Sequence, residues 1–271
     1  MNTNIPAPIT HPHPDAPDPT RRPLTDHLVE LRRRLLWSFV TLAVATVLCF
    51  LFVENIYGFL VAPLANAMGP DSTQRLIYTG LTEAFFTYMK VAFFAGLFIT
   101  FPIIATQLYR FLAPGLYARE RRAFLPFLMA TPILFLAGAA FVYYFVMPMA
   151  WKFFLGFQST GAETTLPIQL EARVGEYLDL VMVLIFAFGF CFQLPVVLGI
   201  LGRAGMVTSA MLSRFRRYAI VVIFIVAAII TPPDIISQVL LAVPLMALYE
   251  LSIFLVRRVE KTREATAHDP A

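Results

Sequence analysis

From Ala123 to Trp151 the chain reads AFLPFLMATPILFLAGAAFVYYFVMPMAW, 29 residues without a charge. As a helix this run would be about 43 Å long, more than the roughly 30 Å of hydrocarbon in a bilayer. A helix apolar on every face belongs in lipid or deep inside a large core. The run is a membrane span, and the fold then follows from how many others accompany it. Leu35–Val53 and Val91–Tyr109 are uncharged runs of 19 residues each, and Leu180–Gly202 is one of 23. Tyr218–Pro233 is shorter, at 16 residues with two prolines at its end. Ile235–Val256 has 22 residues interrupted by Glu250, and only Asp234 separates it from the run before. These runs predict an all-α integral membrane protein with six transmembrane helices, the fifth and sixth short and joined by a tight turn. A single re-entrant hairpin in place of the last two is the alternative.

Composition agrees. Of 271 residues 59% are hydrophobic and 14% charged, with mean hydropathy +0.73. A soluble domain carries about 25% charged residues.

Charge sets the orientation. With six spans, four segments lie on the side of the termini. They hold Arg21, Arg22 and Arg32–Arg34, then Arg110, Arg119, Arg121 and Arg122, then Arg203, Arg214, Arg216 and Arg217, and finally Arg257, Arg258, Lys261 and Arg263. Arg75, Lys90, Lys152 and Arg173 fall on or near the opposite loops. Short loops rich in Lys and Arg stay in the cytoplasm, so both ends are expected inside. The net charge of +4 is thus a topology signal and gives no reason to expect a nucleic acid partner.

Residues 1–23 are rich in proline and polar residues and are expected to form a disordered cytoplasmic arm. The membrane domain is expected at 24–258 and a cytoplasmic tail at 259–271. No cleavable signal is evident: Thr20-Arg21-Arg22-Pro23-Leu24 is followed by Asp26, Glu30 and three more arginines before its apolar run begins. Cys49 and Cys191 both lie inside expected spans, so no disulfide is expected. His11, His13, His27 and His268 lack metal-ligand spacing, and no metal is expected.

Three polar segments border the spans. In Leu24-Thr25-Asp26-His27-Leu28-Val29-Glu30-Leu31-Arg32-Arg33-Arg34-Leu35, the leucines at 28, 31 and 35 share one helix face. Thr25 or Asp26 can cap it, and its apolar face can lie among the headgroups before the chain turns into the membrane. Glu30 and Arg34 are spaced as an i,i+4 pair, which on spacing alone fits an ordinary exposed ion pair. The second segment is Phe111-Leu112-Ala113-Pro114-Gly115-Leu116-Tyr117-Ala118-Arg119-Glu120-Arg121-Arg122, where Glu120 sits among three arginines and fits a locally paired carboxylate. The third is Thr231-Pro232-Pro233-Asp234, followed by Ser237-Gln238, which fits a capped turn between two helices.

Taken in order, these three segments resemble TatC, the multi-spanning subunit of the twin-arginine protein translocase. The resemblance runs from Leu24 to about Arg258. It implies a receptor for folded export precursors whose signal peptides carry paired arginines. It also implies work with single-span TatA and TatB partners, use of the proton-motive force without a bound cofactor, and homo-oligomers inside a hetero-complex in the bacterial inner membrane. By the same resemblance, Glu30 and Glu120 bind the signal arginines. Arg32, Arg34, Phe111 and Pro114 match further positions of the same motifs. Pro63 matches the proline of the first outer loop, and Tyr143 a tyrosine of the third helix. Thr231 and Gln238 match positions where a partner helix packs, and Asp234 matches the turn acid.

The residues suit that role. Arginine is permanently charged and offers a rigid fork to carboxylates, so two carboxylates at the membrane surface can each hold one guanidinium. One position departs from the family pattern: Gln193, in Phe192-Gln193-Leu194-Pro195, stands where many members have glutamate. An amide cannot exchange a proton. Gln193 then either bonds carbonyls freed near Pro195 or presents a polar group to a partner. The short fifth helix, about 22 Å over Tyr218–Pro232, predicts a locally thinned bilayer. A small-molecule or ion transporter is the alternative function. No internal repeat supports it, and Glu83, Asp179 and Glu250 lie near helix ends instead of mid-span. No histidine lies in an expected span, and no catalytic constellation is present, so an enzyme is not expected.

Overall fold

A computed structural model describes residues 24–69, 75–116, 121–159, 166, 170–230 and 235–268, without side-chain detail at 24–27, 110–116, 121–125, 236–237 and 262–268. Among them, the chain forms helices α1 (Leu24–Leu51), α2 (Val53–Met68), α3 (Glu83–Leu116), α4 (Arg121–Phe141), α5 (Met147–Leu155), α6 (Val174–Cys191), α7 (Leu194–Arg203), α8 (Ser209–Ile230) and α9 (Ile235–His268). A π-helical turn, Val142–Val146, joins α4 to α5 without a break in direction.

Among the described residues, five stretches are long and apolar enough to cross a membrane: Leu28–Leu51, Glu83–Tyr109, Pro126–Leu155, Val174–Arg203 and Gln238–Lys261. Their outward faces settle the medium. Along α1, Leu36, Phe39, Val40, Val44, Leu48 and Leu51 are all more than half exposed. A stripe of this size in water would aggregate, whereas in lipid it is the solvent-facing side.

Helix α8 is the exception among the long helices. Arg214, Arg216 and Arg217 occupy its first turns, so only Tyr218–Ile230 is uncharged. The fifth helix is therefore short in its apolar part, as expected. The sixth is not short. Helix α9 has 34 residues, because it runs through Pro244 and on past Val256 to His268. Residues 259–268, expected as a tail, extend this helix: Glu, Lys, Arg and Ala there are strong helix formers. Glu260 also anchors the extension by accepting the Ser209 N–H at 2.8 Å, which satisfies a free amide at the start of α8.

Other boundaries move for identifiable reasons. Leu24–Leu35 does not form a separate surface helix; it is the first part of the continuous α1. The segment expected as the first outer loop is helical over Val53–Met68, and Pro63 lies inside this α2. The fourth span is broken into α6 and α7. Pro195 cannot donate to the carbonyl four residues back, and the Gln193 N–H turns to Phe190 O at 2.9 Å.

Packing uses small residues, as expected where lipid removes the hydrophobic drive between helices. Helices α1 and α3 run antiparallel: Arg34 meets Gln107 at one end and Thr46 meets Gly96 nearer the other. A Cβ on Gly96 would lie 2.8 Å from the Thr46 amide nitrogen. Gly138 does the same between α4 and α6, where a Cβ would lie 2.7 Å from Phe188 O. The core they enclose includes Val142, Met147, Leu178, Phe188, Leu241 and Leu245. An aromatic cluster sits beside it, with the Phe101 and Phe135 rings stacked at 3.7 Å.

The two ends of the molecule differ. At one end lie the starts of α1, α4 and α8 and the ends of α3, α7 and α9, which carry Arg32–Arg34, Arg203, Arg214–Arg217 and Arg257–Arg258. Arg216 holds Glu250 here with Nε 2.6 Å from Oε1, which accounts for an acid within the last apolar run. At the other end, Ile77 and Arg173 form a single parallel bridge, with Ile77 N–H to Ala172 O at 3.0 Å and Val174 N–H to Ile77 O at 2.9 Å. Arg173 there bonds Glu83 at 3.4 Å and Glu176 at 2.8 Å, and Lys90 bonds Asp179 at 2.8 Å.

Candidate functional site

At the arginine-rich end, α1 presents Glu30 and Arg34 one turn apart, and they form an ion pair. Arg34 makes a second contact, Nη1 to Gln107 O on α3 at 3.2 Å. The pair is therefore fixed to the neighbouring helix and does not wave in solvent. Glu30 and Arg34 keep 32% and 20% of their side-chain surface, so the carboxylate stays within reach of a ligand. They line a cavity of about 400 Å³ together with Arg33, Trp37 and Gln107.

This end can hold a guanidinium. Glu30 supplies the anion, Trp37 a flat apolar wall, and Arg33 and Arg34 a positive rim that disfavours unspecific cations. Arg34 stays tethered to Gln107 O if Glu30 turns to another partner, so exchange leaves no guanidinium without an acceptor.

The expected partners fall differently. Arg32 is exposed and is not part of the cavity wall; two residues from Glu30, it faces another side of the helix. Phe111 and Pro114 lie in the last turns of α3, one to two turns beyond Gln107, with their side chains outside the description. Glu120, Thr231 and Asp234 lie outside the described residues, as does the whole of the expected N-terminal arm, 1–23. Trp37 and Gln107 were missed by the sequence reading. A lone amide in an otherwise apolar 19-residue run was the available signal for Gln107.

Three remaining positions find structural partners. Proline at 63 leaves the Phe59 carbonyl without its helical N–H, and the Tyr143 hydroxyl donates to that oxygen at 2.8 Å. The π-turn that carries Tyr143 stacks its ring on Phe59 at 4.3 Å. Pro63 and Tyr143 are thus two halves of one joint between α2 and the third span. Gln238 donates to Phe224 O at 3.1 Å and ties α9 to α8. Gln193, 9% exposed, donates through Nε2 to Thr131 O at 3.1 Å and to Gly189 O at 3.3 Å. Gly189 O is available because the Gln193 backbone N–H has turned to Phe190. The Gln193 Oε1 is buried without a partner among the described residues.

Comparison with known proteins agrees with this architecture. The family model for TatC, Sec-independent protein translocase protein, matches residues 26–244. A Sec-independent protein translocase protein TatC from Magnetococcus marinus is 51% identical over 90% of this chain and 87% of its own length. One from Rickettsia prowazekii is 48% identical over 88% of this chain and 94% of its own. A crystal structure of the twin-arginine translocase receptor TatC superposes with a TM-score of 0.73 at 38% identity, covering 86% of this chain and 99% of that one. With a family match across most of its length and relatives of this identity, the chain belongs to the TatC family of Sec-independent protein translocase proteins.

Proposed function

We propose that this protein is the receptor and core subunit of a twin-arginine translocase in the bacterial inner membrane, and that Glu30 and Glu120 each hold one guanidinium of the signal peptide. One observation carries the reading: a half-exposed carboxylate, pre-paired with an arginine of its own helix, lines an open cavity at the arginine-rich end. The native Glu30–Arg34 pair mimics the proposed complex, with Arg34 in the place of an incoming arginine. A peptide with two adjacent arginines competes because it engages two carboxylates at once, and the second contact is intramolecular once the first is made.

The same reading places both termini in the cytoplasm and counts α8 as a sixth crossing. The positive clusters at the Glu30 end support that orientation. Helix α8 crosses with a thin apolar stretch, so the bilayer is compressed beside it. TatA- and TatB-type single-span proteins are the expected partners, near Thr231 and Gln238. Precursors then move through an assembly, driven by the proton-motive force, because one bundle of this size cannot enclose a folded protein.

The test is crosslinking of a twin-arginine signal peptide to the membrane-embedded protein. Glu30→Lys and Glu120→Lys each abolish it, and Glu30→Gln weakens it. Normal crosslinking in both lysine variants overturns the assignment.

A further inference from the structure

At the end away from Glu30, two adjoining cavities share Phe59, Tyr143 and Tyr144. The deep one, about 340 Å³, is walled by apolar side chains such as Phe98 and Ile99 of α3, Leu136 and Ala140 of α4 and Phe186 of α6. The outer one, about 410 Å³, opens between Pro63, Asn66, Pro148 and Lys152. Asn66 and Lys152 are exposed, and Lys152 has no acidic partner among the described residues.

The slot matches one leaflet. Leu136 to Lys152 spans about 24 Å of helix rise, and one leaflet with its headgroups measures about 20–22 Å. Lys152 lies three residues from the end of the 126–155 span, at headgroup depth, where a lysine places its ammonium in the interface.

We propose that this slot is a phospholipid site, with one acyl chain along Leu136 and Ala140 and the phosphate held by Lys152 and Asn66. It rests on the membrane embedding and is independent of the signal-peptide reading. The lipid would fill the space beside the Pro63–Tyr143 joint and wedge α2 against the third span.

The experiment places a photoreactive amino acid at Leu136 in the full-length protein, reconstitutes it in vesicles of phosphatidylglycerol and phosphatidylcholine, and counts phospholipid adducts by mass spectrometry. A label at Ile229, exposed on α8, reports bulk lipid. Lys152→Gln is expected to cut the Leu136 adduct about fivefold. Ala140→Trp is expected to nearly remove it, and Ala140→Leu serves if the tryptophan variant unfolds. Neither change should alter the Ile229 adduct. A Leu136 adduct insensitive to Lys152→Gln, or to filling at Ala140, overturns the proposal. So does a protein adduct replacing the lipid one in native membranes, since a partner helix would then occupy the slot.

Discussion

At the scale of single residues, the structure separates groups poised for exchange from groups used up by the fold. Glu30 belongs to the first kind: it is charged, half-exposed and paired with a residue that has a second acceptor. Glu30→Gln removes the charge but keeps the shape, and charge-assisted hydrogen bonds contribute about 1.5–3 kcal/mol. Affinity for a twin-arginine peptide should fall by about tenfold or more, read by fluorescence titration, with little change in thermal unfolding. Tyr143 belongs to the second kind. Tyr143→Phe leaves Phe59 O without a donor and should destabilise by about 1 kcal/mol, visible as a lower unfolding temperature in detergent. The family resemblance flagged both Tyr143 and Pro63 but gave no reason for either. The reason is a carbonyl freed on one helix and met by a hydroxyl from another, a contact invisible to any local pattern. Gln193 shows the same limit. Its amide donates to two carbonyl oxygens, so a carboxyl introduced by Gln193→Glu can donate to one of them, and only while it carries its proton. Infrared spectroscopy at neutral pH should show the band of a protonated acid; an ionised carboxylate there would contradict this geometry.

At the scale of elements, apolar runs located the spans but misjudged their ends. Charge-free length marks where lipid contact begins and stops; it does not mark where helical hydrogen bonding stops. The last helix therefore runs on through residues 259–268, held by Glu260 on the first amide of α8. The break before Pro195 was legible from the proline, but the π-turn at Val142–Val146 was not, because nothing in VYYFV distinguishes it from ordinary helix. Close helix approach leaves a clearer trace. Gly96→Val would drive a side chain into the Thr46 backbone and push α1 from α3, carrying Glu30 away from Gln107. Overpacking of this kind costs about 1–3 kcal/mol. Both the unfolding temperature and signal-peptide crosslinking at Glu30 should drop, whereas Thr46→Ala should restore neither fully, since it removes the hydroxyl contact and leaves the clash with the Thr46 amide nitrogen and Cα. Lengthening α8 by four apolar residues after Ile225 should relieve the proposed thinning and impair export of a folded twin-arginine reporter, with normal export removing thinning from the account.

At the scale of the whole molecule, the asymmetry between the two ends organises everything else. Arginines and the Glu30 cavity gather at one end, while acid–base clasps and the lipid slot occupy the other. The sequence showed this polarity plainly, because charge positions along a chain of known spans map directly onto ends. It could not show which neighbours Glu30 would find, since Trp37 lies inside an apolar run and the lone amide of Gln107 does not say which helix its backbone carbonyl meets. The central claim is that two carboxylates at the arginine-rich end recognise a guanidinium pair by its forked geometry. Its most direct measurement is the affinity of the purified protein in nanodiscs for a twin-arginine signal peptide and for the same peptide with twin lysines. The account predicts at least about tenfold tighter binding of the arginine form, because an ammonium lacks the second parallel hydrogen bond. Equal affinity for the two peptides would contradict it.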